Sequence, residues 1–215
     1  MAVRVVVATG NVHKLDEIAA ILAGVPALAG RPLDLVPMTD LGVPSPPEDG
    51  ETFAANALLK ARACASATGL PALADDSGLE VAALDGAPGV RSARYAGEPT
   101  DDAANNALLL TRLAAAGATT LAARRAAFVC AAALVLPDGT ERTAEGRMPG
   151  RVVTTARGAR GFGYDPLFVA DASADGRTNA ELRPEEKDAI SHRGAAFRAL
   201  APELVDLLGD GSPAS

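Results

Sequence analysis

Apolar positions along this chain switch between short continuous runs and runs spaced by three and four, so strands and helices are predicted to alternate. Val3 to Ala8 is a continuous apolar, β-branched run and reads as a buried strand. After Thr9-Gly10-Asn11, Leu15, Ile18 and Leu22 recur at helical spacing. Leu33 to Met38 reads as a second strand, and the proline-rich stretch 39–51 as a loop. Thr52 to Thr68 has a helical composition and stops at Gly69, a C-cap signal. Leu70 to Ala74 is predicted as a short strand running into Asp75-Asp76-Ser77-Gly78, with Leu79 to Leu84 as another. Asp101 to Ala116 reads as a helix capped by Asp101 or Thr100 and stopped by Gly117. Arg125 to Leu136 and Thr140 to Met148 flank Pro137-Asp138-Gly139, a hairpin signature. Arg151 to Thr155 and Leu167 to Val169 read as further strands, and Ser191 to Leu208 as a last helix interrupted or kinked at Pro202. The tail 209–215 is expected to be disordered. A hairpin beside β-α units predicts an α/β fold with a mixed sheet. No repeat or long linker separates independent domains.

Composition narrows the partners. A net charge of −7 argues against nucleic acid, whose binding rests on neutralising phosphates with Lys and Arg. Seven aromatic residues are too few for a platform that stacks bases along a strand. The longest apolar run, Ala126 to Leu136, is too short to cross a bilayer, which takes about 20 residues. The N-terminus lacks a basic region followed by a long apolar stretch, so no signal peptide is expected. Cys64 and Cys130 lie far apart and read as buried thiols of a cytoplasmic protein. Only three of the 20 basic residues are lysines, at 14, 60 and 187, which makes each worth locating.

Four segments carry candidate chemistry. In Thr9-Gly10-Asn11-Val12-His13-Lys14, a glycine turn enters a helix N-terminus whose free N–H groups favour an anion. Lys14 in the first turn opposes the helix dipole, and a phosphate would compensate for it. An ordinary βα turn with a solvated lysine is the plain alternative. Asp75 and Asp76 sit at the end of an apolar strand, where α/β sheets place ligand contacts. Neighbours on a strand point to opposite sides, so one carboxylate should face the ligand while the other supports it. Oxygen ligands near phosphate suit Mg²⁺, and an Asx turn is the alternative. Gly161-Phe162-Gly163-Tyr164-Asp165 combines two glycines with two rings, which lets a flat ligand approach backbone and stack; a core aromatic cluster is the alternative. Phe168 reads as core. Lys187, His192 and Arg193 put phosphate-binding cations around the predicted start of the last helix, unless they are simply solvated there. Glu48 could add a carboxylate, and Lys60 reads as a solvated surface residue.

Together these segments resemble the family of noncanonical purine nucleoside triphosphate pyrophosphatases, also called dITP/XTP diphosphatases or inosine triphosphatases. The resemblance rests on Thr9-Gly10-Asn11 with Lys14 and Glu17, and on the Glu48 loop leading to Thr52-Phe53 and Asn56-Ala57. It continues through Ala74 to Leu79, Gly86-Ala87-Pro88-Gly89 with Ser92-Ala93-Arg94-Tyr95, Gly161 to Asp165, and Lys187 with Ser191 to Gly194. It implies an elongated mixed β-sheet flanked by helices, two lobes with a nucleotide cleft between them, and a homodimer, with residues 1–208 as a single domain. It also implies Mg²⁺-dependent hydrolysis of XTP, ITP or dITP to the monophosphate and pyrophosphate. By position, Asp76 resembles the catalytic carboxylate and metal ligand, with Glu48 as its metal-binding partner. Thr9, Gly10, Asn11, Val12, His13 and Lys14 resemble the triphosphate loop. Ser77, Phe162, Gly163, Tyr164, Asp165, Lys187, His192 and Arg193 resemble substrate contacts. Arg160 departs from the pattern, standing where a glycine is expected, and places the local backbone in question. A related pyrophosphatase with another base specificity, or a non-catalytic nucleotide-binding module, would share many of these residues.

Overall fold

Strand β1 (Val3–Val7) pairs in parallel with β2 (Leu33–Pro37) on one side and β3 (Ala72–Val81) on the other. This computed structural model describes residues 2–207, and the tail expected to be disordered lies outside them. With β4 (Arg125–Val135), β5 (Glu141–Val152) and β6 (Phe168–Ala170), the sheet order is β2-β1-β3-β4-β5-β6. The β5–β6 pair is antiparallel, so the sheet is mixed as expected. Helices α1 (Val12–Ala23), α2 (Phe53–Thr68), α3 (Asp102–Ala115), α4 (Pro184–Ile190) and α5 (His192–Leu207) complete the α/β arrangement.

The helix boundaries follow the capping chemistry. Asn11, Thr52 and Asp101 each accept backbone N–H groups from the first turn of α1, α2 and α3, which meets donors that have no partner inside the helix. Gly69 ends α2 in the left-handed conformation.

Three expectations change. The two short strands around Asp75-Asp76 are one ten-residue strand, so the acidic pair lies within β3 rather than at its end. Likewise, β5 runs through Pro149-Gly150 to Val152, replacing the separate strand 151–155. A Cβ at Gly150 would meet the Phe168 ring and the Val169 carbonyl, so glycine here serves close approach to β6 rather than a turn. The predicted final helix is divided: α4 ends at Ser191, which is extended, and α5 then continues past Pro202.

The chain forms two compact units. The first comprises residues 2–76, Cys130–Gly146 and residues 193–207. Its core joins Val5 and Val7, Ile18, Ile21 and Leu22, Leu73, Leu134, Phe197, Leu200 and Leu204. The second comprises Ser77–Val129 and Arg147–His192. Its core joins Leu79, Val81, Leu109, Leu113, Phe128, Met148, Val152, Tyr164, Leu167 and Phe168. Ala126 to Val135 of β4 is buried at every position, which explains a run of small residues without alternation.

Candidate active site

In the first unit the alternation of β3 sends its two carboxylates to different helices. Asp75 meets Lys14 of α1 at 3.3 Å and Arg193 of α5 at 3.0 Å. Arg193 also holds Glu17, and is almost fully buried between these two acids. Asp76 instead meets α2, accepting from Asn56 Nδ2 at 3.0 Å and from Lys60 Nζ at 3.4 Å. Lys60 Nζ also donates to Glu48 at 2.9 Å.

These partners drive the proton affinities of two adjacent aspartates apart. Burial would raise the Asp75 carboxyl, but Lys14, Arg193 and Lys60 outweigh it and hold the group well below the usual carboxylate range. At Asp76 burial dominates and Glu48 adds to it, so the carboxyl rises despite Lys60, the Asn56 hydrogen bond and Lys14. Asp75 is therefore a fixed anion, whereas Asp76 is the better proton acceptor. Splitting two carboxylates in this way is how a site assigns distinct acid–base roles. Burial tends to lower the Lys60 ammonium, yet Asp76, Asp75 and Glu48 together raise it, so it stays charged. Cys130 lies 3.9 Å from Asp75, and burial with that charge pushes its thiol well up. Both cysteines are buried and free.

The expected phosphate loop is only partly open to an anion through its backbone. Asn11 Oδ1 accepts from the N–H groups of His13 and Lys14, and Asn11 N–H donates to Thr9 Oγ1. The Lys14 side chain is 17% exposed and Val12 is 68% exposed. Asp75 offsets the position of the Lys14 ammonium against the helix dipole.

In the second unit, Asp165 organises the Gly161–Asp165 loop. It accepts from the Phe162 N–H at 3.1 Å, from Lys187 Nζ at 2.8 Å and from Asn179 Nδ2 at 3.1 Å. Lys187 Nζ lies 5.1 Å from the centre of the Phe162 ring, within cation–π range. Gly161 is left-handed, and a Cβ there would run into the Asp165 carboxylate. Phe128 stacks on His192 with centroids 4.9 Å apart and planes 14° apart.

Several expectations are revised here. Lys187 belongs to the last turn of α4, where the dipole favours a cation, rather than to a helix start. Tyr164 turns its ring into the core and donates its hydroxyl to the Ser92 carbonyl at 2.8 Å. Arg193 serves as the buried counter-ion of Asp75 and Glu17. Arg160 is not among the described residues with positive φ, so the backbone at this position does not require a glycine. Among the described residues no group of three or more His, Cys, Asp or Glu could hold a metal ion. The donor chemistry at Lys60 nevertheless fits a hard divalent cation. Glu48 and Asp76 present oxygens to one ammonium, and Mg²⁺ commonly takes one or two carboxylates with substrate phosphates and water.

The model of the Ham1 family matches residues 5–203, nearly the whole chain. The chain belongs to the Ham1 family. A dITP/XTP pyrophosphatase of Streptomyces coelicolor is 53% identical over 207 residues, covering 96% of this chain and 99% of that one. Another from Cutibacterium acnes is 49% identical, covering 94% and 96%. Among solved structures, a HAM1 protein from Coxiella burnetii superposes with a TM-score of 0.82 at 41% identity, covering 95% of this chain and 99% of that one. A nucleoside-triphosphatase / dITP/XTP pyrophosphatase from Mycobacterium abscessus gives 0.71 at 48%, covering 94% and 99%.

Within this Ham1 chain, sequence reasoning misread the buried Lys60 as a solvated surface residue, gave Asn56 no role of its own, and missed Asn179. The signal for the first two was present in α2. Phe53, Asn56, Ala57, Lys60, Ala61 and Cys64 recur at three and four, and all are buried. A lysine on the inward stripe of a helix needs acidic partners, and Asp75-Asp76 was the obvious pair. No comparable signal marked Asn179. Among the described residues no helix is long and apolar enough to cross a membrane.

Proposed function

We infer that this chain is a nucleoside triphosphate pyrophosphohydrolase that hydrolyses noncanonical purine nucleotides such as XTP, ITP and dITP to the monophosphate and pyrophosphate. The observation that carries the reading is the divergence of Asp75 and Asp76, neighbours on one strand whose direct ion pairs differ, Lys14 and Arg193 for the first and Lys60 for the second. Asp76 takes the proton of the attacking water, since its raised proton affinity suits a general base. Asp75 stays ionised and fixes Lys14, which binds phosphate oxygens. Glu48 and Asp76 would hold Mg²⁺, which when bound supplies charge neutralisation on the polyphosphate.

The 162–165 loop with Lys187 and His192 receives the base. Hypoxanthine and xanthine carry a 6-oxo acceptor where adenine carries an amino donor. Donors from Lys187 or His192 would be left unpaired against adenine, which rejects it strongly. Thr9 to His13 and Ser77 complete the substrate contacts in this reading, and residues 1–208 act as one functional domain. The cytoplasmic setting and the homodimer belong to the same proposal and rest on the family resemblance.

One assay tests it: pyrophosphate release with Mg²⁺ across XTP, dITP, ITP, GTP, ATP and dUTP. Strong release from the first three is expected. Equal activity on ATP and ITP would remove the 6-oxo selectivity, and release from none would favour a binding module.

A further inference from the structure

One face of α3 grips a single residue of the aromatic loop. Asp102, in the first turn, accepts the Gly163 N–H at 2.7 Å. Asn106, one turn later, donates from Nδ2 to the Gly163 carbonyl at 2.9 Å. Residues four apart are neighbours on a helix surface. Both peptide groups of Gly163 are therefore taken by adjacent side chains. Gly163 is left-handed at φ 60° and lies between Phe162, whose ring meets Lys187, and Tyr164, whose hydroxyl is fixed in the core.

The chemistry of each partner argues for a positioning role rather than a purely structural one. The Gly163 carbonyl only accepts, so the Asn106 amide must present its nitrogen there. That turns Asn106 Oδ1 to a place where it is buried and has no hydrogen-bond partner among the described residues. A buried acceptor without a partner weakens a fold, so this asparagine is a poor choice for stability alone. Asp102 is exposed and is not the helix cap. Asp101 fills that position, accepting the Ala104 N–H at 3.0 Å.

We propose that Asp102 and Asn106 are positioning residues for base recognition, clamping Gly163 so that Phe162 and Lys187 keep the geometry that selects a 6-oxopurine. The proposal rests on the assignment of the 162–165 loop to the base. Neither residue needs to touch the substrate; they act through the two peptide groups that flank the Gly163 Cα.

The test is steady-state kinetics on ITP and ATP, with melting curves, for D102A, D102N, N106D and D101A. D102A loses the acceptor, and N106D keeps the shape but cannot donate to a carbonyl. Both should raise KM for ITP by about tenfold with kcat changed less, and narrow the ITP-to-ATP ratio of kcat/KM. D102N retains an acceptor oxygen and should stay close to wild type. D101A loses the cap of the same helix and should lower the melting temperature while leaving KM and the ratio unmoved. A normal wild type with D102A and N106D unchanged, or with D101A shifting the ratio as much as they do, overturns the clamp alone. Wild-type protein that releases no pyrophosphate from ITP overturns the functional reading and the clamp with it.

Discussion

The ammonium of Lys60 bridges two carboxylates, 2.9 Å from Glu48 and 3.4 Å from Asp76, on a side chain that is only 6% exposed. Removing one partner of a buried ionic group leaves the others uncompensated, at a cost of about 3–5 kcal/mol. Lys60→Met should therefore destabilise the fold by that order in metal-free buffer. Millimolar Mg²⁺ should return more stability to the variant than to wild type, because a divalent cation would replace the missing charge. Urea unfolding with and without Mg²⁺ measures both effects. An unchanged midpoint without metal would mean that the bridge contributes nothing.

Asp76→Asn separates charge from shape. The amide retains an oxygen for Asn56 Nδ2, which lies 3.0 Å from Asp76, so the variant should fold. It no longer supplies a base, and general-base catalysis contributes roughly 10²–10⁴ in rate. Turnover of ITP should fall by about that factor while ITP still binds. Near-normal turnover would take Asp76 out of the catalytic role.

The two loop glycines should respond differently to alanine. Both have positive φ, which costs a side-chain-bearing residue on the order of 1–3 kcal/mol. A Cβ at Gly163 meets nothing within 4 Å, whereas one at Gly161 collides with the Asp165 carboxylate. Gly161→Ala should thus displace the acceptor that holds Lys187 and raise KM for ITP well beyond the change in Gly163→Ala. Comparable kinetics for the two would show that Asp165 does not govern the site.

What could be read from the sequence, and what could not, divides along the range of the interactions. Caps at Thr52 and Asp101 are local chemistry, so α2 and α3 were visible within a residue or two, while α1 showed only through the spacing of Leu15, Ile18 and Leu22. The acidic pair and the aromatic loop stood out because their residue types are costly to bury or rare in this chain. Extent of strands was harder to judge. Asp75-Asp76 and Pro149-Gly150 resemble turns locally, but cations from α1, α2 and α5 allow the first pair inside β3, and close approach to Phe168 explains the second. Lys60 was misjudged for the same reason, since its partners are 12 and 16 residues away. Arg193 looked like a free phosphate ligand because its pairing with Asp75 spans 118 residues.

Tyr164 offers a test at alkaline pH. Its hydroxyl donates to the Ser92 carbonyl at 2.8 Å, and burial, with the Tyr95 and Asp102 charges, pushes the phenol well above its ordinary value. A group raised in the folded state favours the fold only while it stays protonated. Its contribution is complete below about pH 10, where a free tyrosine titrates, and is lost as pH rises from there toward the folded value. Tyr164→Phe should cost about 0.5–1.5 kcal/mol at pH 7 through the lost hydrogen bond. Between about pH 10 and 11 wild type should lose stability faster than the variant, so that the gap between them narrows. Urea unfolding at both pH values measures the gap. A gap that stays constant would mean that the phenol ionises as easily in the folded protein as in the unfolded chain.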